Sequence, residues 1–204
     1  GRASPWSVVW YALAAWVVAG VLVDAAGWRR TWRQLGRGQL GMWLAHLGVA
    51  AFIAGVTTVR THESEVDVTM RAGETTALGG YVFRFLGTTE VTGTNYLAEQ
   101  GRVEVTHGGE VVATLTPEKR VYRVQRNPMT EAAIDTSLAR DLYVSLGEPQ
   151  PDGAWTLRVQ HKPLVVWIWL GCVMMAAGGG LAASDRRYRR RAEATKAAPV
   201  EVAA

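Results

Sequence analysis

Hydrophobic positions along this chain fall into two regimes. Trp6–Val23, Leu40–Val59 and Pro163–Ala183 are apolar on every side and contain no Asp, Glu, Lys or Arg. About twenty residues of helix, at about 1.5 Å each, match the roughly 30 Å hydrocarbon core of a bilayer. Runs of this kind are hard to place in a water-soluble core, so they predict three transmembrane helices. Between the second and third, the pattern turns to short alternation. In "YVFRFLG", Tyr81, Phe83 and Phe85 lie on one face and Val82, Arg84 and Leu86 on the other. "GRVEVTHGGEVVATL" reads as two strands joined at a Gly-rich hairpin. "KRVYRVQ" and "DLYVSLG" are further strands, and "AWTLRVQ" runs into the third span. Only "MTEAAIDTSLA" reads as briefly helical.

The fold class expected is therefore a membrane protein with three transmembrane α-helices. A small all-β extracytoplasmic domain, a sandwich or barrel, is expected between the second and third. The chain divides into helix 1–27, basic loop 28–38, helix 39–60, β domain 61–162, helix 163–183 and basic tail 184–204. The end of that tail is expected to be disordered.

Charge sets the orientation. The first loop carries Arg29, Arg30, Arg33 and Arg37 with no acid, and the tail carries Arg186, Arg187, Arg189, Arg190 and Arg191 against Asp185. Short arginine-rich flanks belong on the cytoplasmic side, which puts residues 61–162 outside and the C-terminus inside. Trp6, Trp10, Trp28, Trp32, Trp43, Trp167 and Trp169 lie in or beside the spans, several near interfaces, as aromatic belts do. The net charge of +4 resides in those flanks. Residues 60–162 hold 11 Lys and Arg against 14 Asp and Glu, a difference of −3. The surplus thus points to contact with membrane lipid and not to a nucleic-acid partner.

Cys172, the single cysteine, lies in the third span and reads as a small packing residue; no intrachain disulfide can form. The first span is too long for a signal peptide and lacks a basic n-region and a cleavage site. With Gly at position 1, the chain is expected to be one piece of a larger polytopic protein.

Candidate chemistry is sparse. His62, His107 and His161 match no metal-ligand spacing; His107 is expected solvated in a turn, with His62 and His161 flanking the membrane. There is no G-x-S-x-G, no CxxC and no phosphate loop, and "TPEKR" and "NPMTEAAID" read as solvated surface with a turn. No catalytic residue is expected in this domain.

His46 is the exception, an imidazole in the middle of "LGMWLAHLGVAAFIAGVTTV". It lies about 9 Å from the basic end of its span, hence in the cytoplasmic half. Three roles are open: a hydrogen bond between helices, a station on a proton path, or a ligand to a metal such as haem iron. Gly41, Ala45 and Gly48 form a small-residue stripe beside it, along which another helix can approach. Met42, Val49, Ala50 and Ile53 make its own face apolar enough to floor a flat ring. No other His, Lys, Arg, Asp or Glu lies within the three spans, and Asp24 stands at the end of the first, so a proton relay within them lacks a second station.

"GMWLAHLGVAAFIAGV", "TPEKRVY", "NPMTEAAID", "RDLYVSLGE" and "PLVVWIWLGCVMMAAGGGLAASDRRYR" occur in one order. Together they resemble the C-terminal part of the CcmF/NrfE family, haem lyase components of bacterial cytochrome c maturation. The resemblance implies a multi-pass protein of the bacterial inner membrane whose residues 61–162 are periplasmic. It also implies joining of haem to the CxxCH cysteines of an apocytochrome c. A b-type haem held between two transmembrane histidines is part of the family pattern, and His46 in "LAHLG" is similar to the second of them, an axial ligand to haem iron. The partners implied are the remainder of the haem lyase protein, apocytochrome c, a holocytochrome chaperone and a CcmH-like thiol protein. The family's Trp-rich haem-handling segment, its periplasmic histidines and the other transmembrane histidine have no counterpart here. At most one ligand to haem b comes from this chain, which by itself is not expected to be catalytic. The alternative from another class is a cofactor-free, membrane-tethered scaffold domain that binds protein partners. A weaker third option, an ion or proton transporter fragment, suffers from the shortage of ionisable groups in the spans.

Overall fold

The computed structural model describes residues 5–27, 35–124 and 127–185. Among the described residues, helices α1 (Pro5–Gly27) and α2 (Arg37–His62) precede ten strands, and α3 (Val165–Ala183) follows them. The strands are β1 (Ser64–Met70), β2 (Thr75–Leu78), β3 (Tyr81–Thr92), β4 (Tyr96–His107), β5 (Glu110–Leu115), β6 (Glu118–Tyr122), β7 (Pro128–Glu131), β8 (Ala133–Thr136), β9 (Arg140–Pro149) and β10 (Trp155–Pro163). All three helices are long and apolar enough to cross a membrane. Two compact units result, one holding Thr58–Val166 and the other most of the helical residues. The arginines at 29, 30 and 33 and those after Asp185 lie outside the described residues.

The β unit is a sandwich of two antiparallel sheets. One has the order β1-β10-β9-β8; the other runs β2-β3-β4-β6-β7, with β5 also paired to β4. Strand β4 serves two neighbours in turn: Tyr96–Gln100 pair with β6, and Val103–His107 with β5. Alternation fills the space between the sheets. Phe83, Phe85, Val103 and Val105 project from one, and Leu142, Val144, Leu146, Leu157 and Val159 from the other, all essentially inaccessible to water. The alternation in "YVFRFLG" reads as expected, with Phe83 and Phe85 inside and Val82 and Leu86 outside.

The "MTEAAIDTSLA" segment departs from its expected helix. It forms β7 on the edge of one sheet, then β8 on the edge of the other, so the chain changes sheets at Ala132. A helix so short gains little beyond its costly first turn, whereas two open sheet edges satisfy the same backbone groups. Pro128 fits an edge strand because its missing N–H leaves no bond unmade. The "TPEKR" segment is likewise more than solvated surface. Pro117 is fully buried and accepts a hydrogen bond from the Gly101 amide at 2.8 Å. Glu118 receives Gln100 Nε2 and Arg120 Nε, both at 2.7 Å, and the Arg120 guanidinium lies 4.6 Å from the Tyr96 ring centre. Desolvation, the largest single effect, raises the Glu118 carboxyl, but those two hydrogen bonds and the Arg120 charge together hold it below its ordinary value.

In the helical unit, α2 and α3 meet through glycine. A Cβ placed on Gly41 would stand 2.5 Å from the Ala182 nitrogen and the Gly178 oxygen, and one on Gly178 2.5 Å from the Ala45 nitrogen. Gly48 and Gly171 repeat the contact two turns away, at 2.7 Å and 2.6 Å from each other's carbonyl oxygen. The small-residue stripe is thus occupied by an antiparallel partner whose own stripe faces it. Asp185, just past α3, is buried and accepts the Gly38 amide at 2.8 Å, so it caps the start of α2. Cys172 departs from its expected packing role. It is exposed, because it follows Gly171 and so turns away from the α2-facing stripe.

Candidate functional site

His46 projects on a face of α2 other than the glycine stripe. Its Nδ1 lies 2.8 Å from the Met42 carbonyl oxygen one turn earlier. A carbonyl can only accept, so Nδ1 carries the proton and the lone pair belongs to Nε2. The ring is exposed on a groove of about 300 Å³ between α1 and α2, lined by Trp16, Val17, Gly20, Val21, Asp24, Met42 and His46. Among the described residues, the wall is apolar apart from His46 and Asp24. Gly20 widens it, since a Cβ there would meet nothing within 4 Å.

The sequence singled out His46; of the residues expected on its face, Met42 lines the groove, and Val49, Ala50 and Ile53 do not. The sequence did not show that α1 supplies the opposite wall, nor that Asp24 belongs to the same groove. Asp24 Oδ2 accepts Trp43 Nε1 at 2.7 Å and is also bonded by Gln39 Nε2. Trp43, expected in an aromatic belt, is therefore tied to α1 by its indole N–H. The one signal for this in the sequence was a lone acid beside an otherwise neutral span.

The β unit gathers a second set of polar groups around Tyr81. Its ring centre lies 4.7 Å from that of His107 and 5.7 Å from that of His161, and Arg140 Nε donates to its hydroxyl at 3.3 Å. His107, expected to be solvated in a turn, is exposed and bonds the Gly80 carbonyl through Nδ1 at 2.9 Å. Burial, followed by the nearby Arg140 charge, lowers the affinity of His161 for a proton. Arg140 is itself paired with Asp135. Among the described residues, no three His, Cys, Asp or Glu side chains converge as metal ligands would.

Residues 61–163 match the family described as the CcmF C-terminal beta-sandwich. The cytochrome c-type biogenesis protein CcmF of Pseudomonas aeruginosa is 45% identical over 192 residues, covering 88% of this chain and 28% of that protein. The CcmF of Escherichia coli K12 is 39% identical over 201 residues, covering 96% and 30% respectively. The NrfE of Haemophilus influenzae is 34% identical over 166 residues, covering 81% and 25%. A solved structure titled Cytochrome c Heme Lyase CcmF superposes with a TM-score of 0.71 at 19% identity, over 83% of this chain and 29% of that one. The chain thus spans less than a third of the length of these relatives. With that sandwich matched over half of its length and close relatives of the same name over most of it, the chain belongs to the CcmF family.

Proposed function

We propose that this chain acts within a cytochrome c haem lyase, where His46 is one axial ligand of a membrane b-type haem and the β-sandwich docks partners during haem attachment to apocytochrome c. The observation that carries the ligand reading is the bond from His46 Nδ1 to the Met42 carbonyl. It fixes the ring against its helix and leaves Nε2 as a lone pair over an apolar groove, which is how imidazole ligands are usually held. The residues present suit a flat, greasy macrocycle. Trp16, Val17, Val21 and Met42 offer apolar contact, and the missing side chain at Gly20 leaves room. Haem iron, once bound, supplies one-electron chemistry; the second ligand comes from outside this chain.

The reading includes topology. Residues 61–162 face the periplasm and the C-terminus faces the cytoplasm of a bacterial inner-membrane protein, since both arginine clusters belong inside. Partners follow from the same reading: the rest of the lyase, apocytochrome c, the holocytochrome chaperone and a CcmH-like thiol protein.

The test replaces the matching segment of Pseudomonas aeruginosa CcmF with this chain and records the reduced-minus-oxidised spectrum of the purified chimera. A b-type band that disappears in His46→Ala is the expected result. A band unchanged by that substitution rejects the ligand assignment, and no band at all leaves the β-sandwich as a cofactor-free docking module. For topology, a reporter fused after Ala204 should report cytoplasm; periplasmic activity there rejects the orientation.

A further inference from the structure

We propose that Asp24 is the charge partner of the group bound at His46, an anion placed in the same groove so that it holds that group's oxidised state and makes it a stronger electron donor. This rests on the reading of His46 as an iron ligand.

Among the described residues, Asp24 and His46 are the two ionisable side chains that line the groove; every other lining residue is apolar. The carboxylate is not left to chance. Its Oδ2 receives the Trp43 indole N–H at 2.7 Å and the Gln39 amide, two donors on one oxygen. Trp43 lies three residues before His46 on α2, and residues so spaced are surface neighbours, about 5–6 Å apart at Cβ. Asp24 is therefore pinned to side chains that start one and two turns before His46, and it lines the same groove. The pinning crosses from α1 to α2, so the same two bonds also set the separation of the groove walls.

The electrostatic consequence follows from charge counting. A porphyrin dianion with neutral imidazole ligands carries +1 with Fe(III) and none with Fe(II). One electron arrives at iron on reduction, no bond to the ligand breaks and no proton is required. A fixed negative charge attracts the oxidised form and is indifferent to the reduced one, so it lowers the midpoint potential. The rest of the groove wall is apolar, so this attraction is less screened there than in bulk water.

The experiment is a potentiometric titration of the b-type band in the purified chimera, with dithionite and ferricyanide supplying and removing the electron. Asp24→Asn keeps the size of the side chain and an oxygen that accepts from Trp43, and removes only the charge. The expected result is a retained band with a midpoint potential above that of the parent. Trp43→Phe cuts one of the pinning bonds and keeps the charge; it should not reproduce the upward shift. Gly20→Asp, one turn from Asp24 where a side chain meets open space, adds a second anion to the wall and should lower the potential. This variant also decides the matter should Asp24→Asn fail to load the group. A potential unchanged in Asp24→Asn or in Gly20→Asp, or an equal rise in Asp24→Asn and Trp43→Phe, overturns the proposal. If the band survives His46→Ala, it is the ligand reading that fails, and the two failures are told apart by that one spectrum.

Discussion

The β-sandwich and the helical unit of this chain bury residues by opposite means. Between the sheets, large side chains interdigitate: Phe83 and Phe85 face Leu142, Leu146 and Leu157, and water is expelled from all of them. Between α2 and α3 there is almost no side chain at the points of closest approach, where Gly41 and Gly48 lie directly on Gly178 and Gly171. The reason is the solvent. In water, apolar area removed from contact drives packing, and larger residues contribute more. In lipid that drive is lost, so helices associate through close backbone approach and a few polar bonds such as Trp43 to Asp24. One chain therefore contains two rules for what makes a good core, and the same kind of substitution has opposite consequences in the two halves.

That contrast predicts a ranking. The largest effect is expected from Gly178→Leu. The new side chain would begin within 2.5 Å of the Ala45 nitrogen and the Gly41 oxygen, backbone atoms that cannot step aside. Folded protein should fail to accumulate, whereas Gly179→Leu, where a Cβ meets nothing within 4 Å, should express and melt like the parent in detergent. Equal melting of the two variants would break the comparison. In the sandwich the direction reverses, and making a residue smaller is what harms. Phe83→Ala should cost about 3–5 kcal/mol through lost transfer energy and a cavity, read by denaturant unfolding followed through tryptophan fluorescence. A smaller loss, about 1 kcal/mol, is expected for Thr130→Val, which removes the 3.2 Å hydrogen bond from β7 to the Leu146 carbonyl of the facing sheet.

The smallest effect is a pH dependence confined to the β unit. His161 binds a proton less readily when folded than its ordinary 6.5, because burial and Arg140 both oppose the charge. Below about pH 6.5 the unfolded chain then takes up more protons than the folded one, so stability falls with falling pH through that range. It is fully present above 6.5. His161→Gln should flatten this part of the stability–pH curve in chemical denaturation; an unaltered slope would assign the acid sensitivity to other groups.

The alternation of Phe83 and Phe85 against Val82 and Leu86 was legible because period two has one physical reading once both neighbours are strands. The HGGE hairpin was legible for a similar local reason, since Gly108 and Gly109 adopt the positive φ that its turn demands. Residues 128–136 were not legible. Their helix-forming composition is overridden by pairing with β6 and β9, the strands just before and just after them, which belong to different sheets. Arg120 looked like surface from its charge. It is drawn partly inward because Glu118, Gln100 and Tyr96 form a paired polar set, and no local pattern announces such a set. In the groove, His46 stood out at once as an ionisable group in an apolar run. Its companion Asp24 did not, because 22 positions separate them and only the pairing of α1 with α2 closes that gap.

The sequence by itself determined the number of spans, the alternating β-rich character of the segment between them and the singular position of His46. Each of these depends on the period and polarity of neighbouring residues, which the chain carries locally. The tertiary structure alone decided which helix covers the glycine stripe, where the chain changes sheets, and that a carboxylate shares the groove with the imidazole. Those are meetings of distant residues, set by how whole surfaces fit.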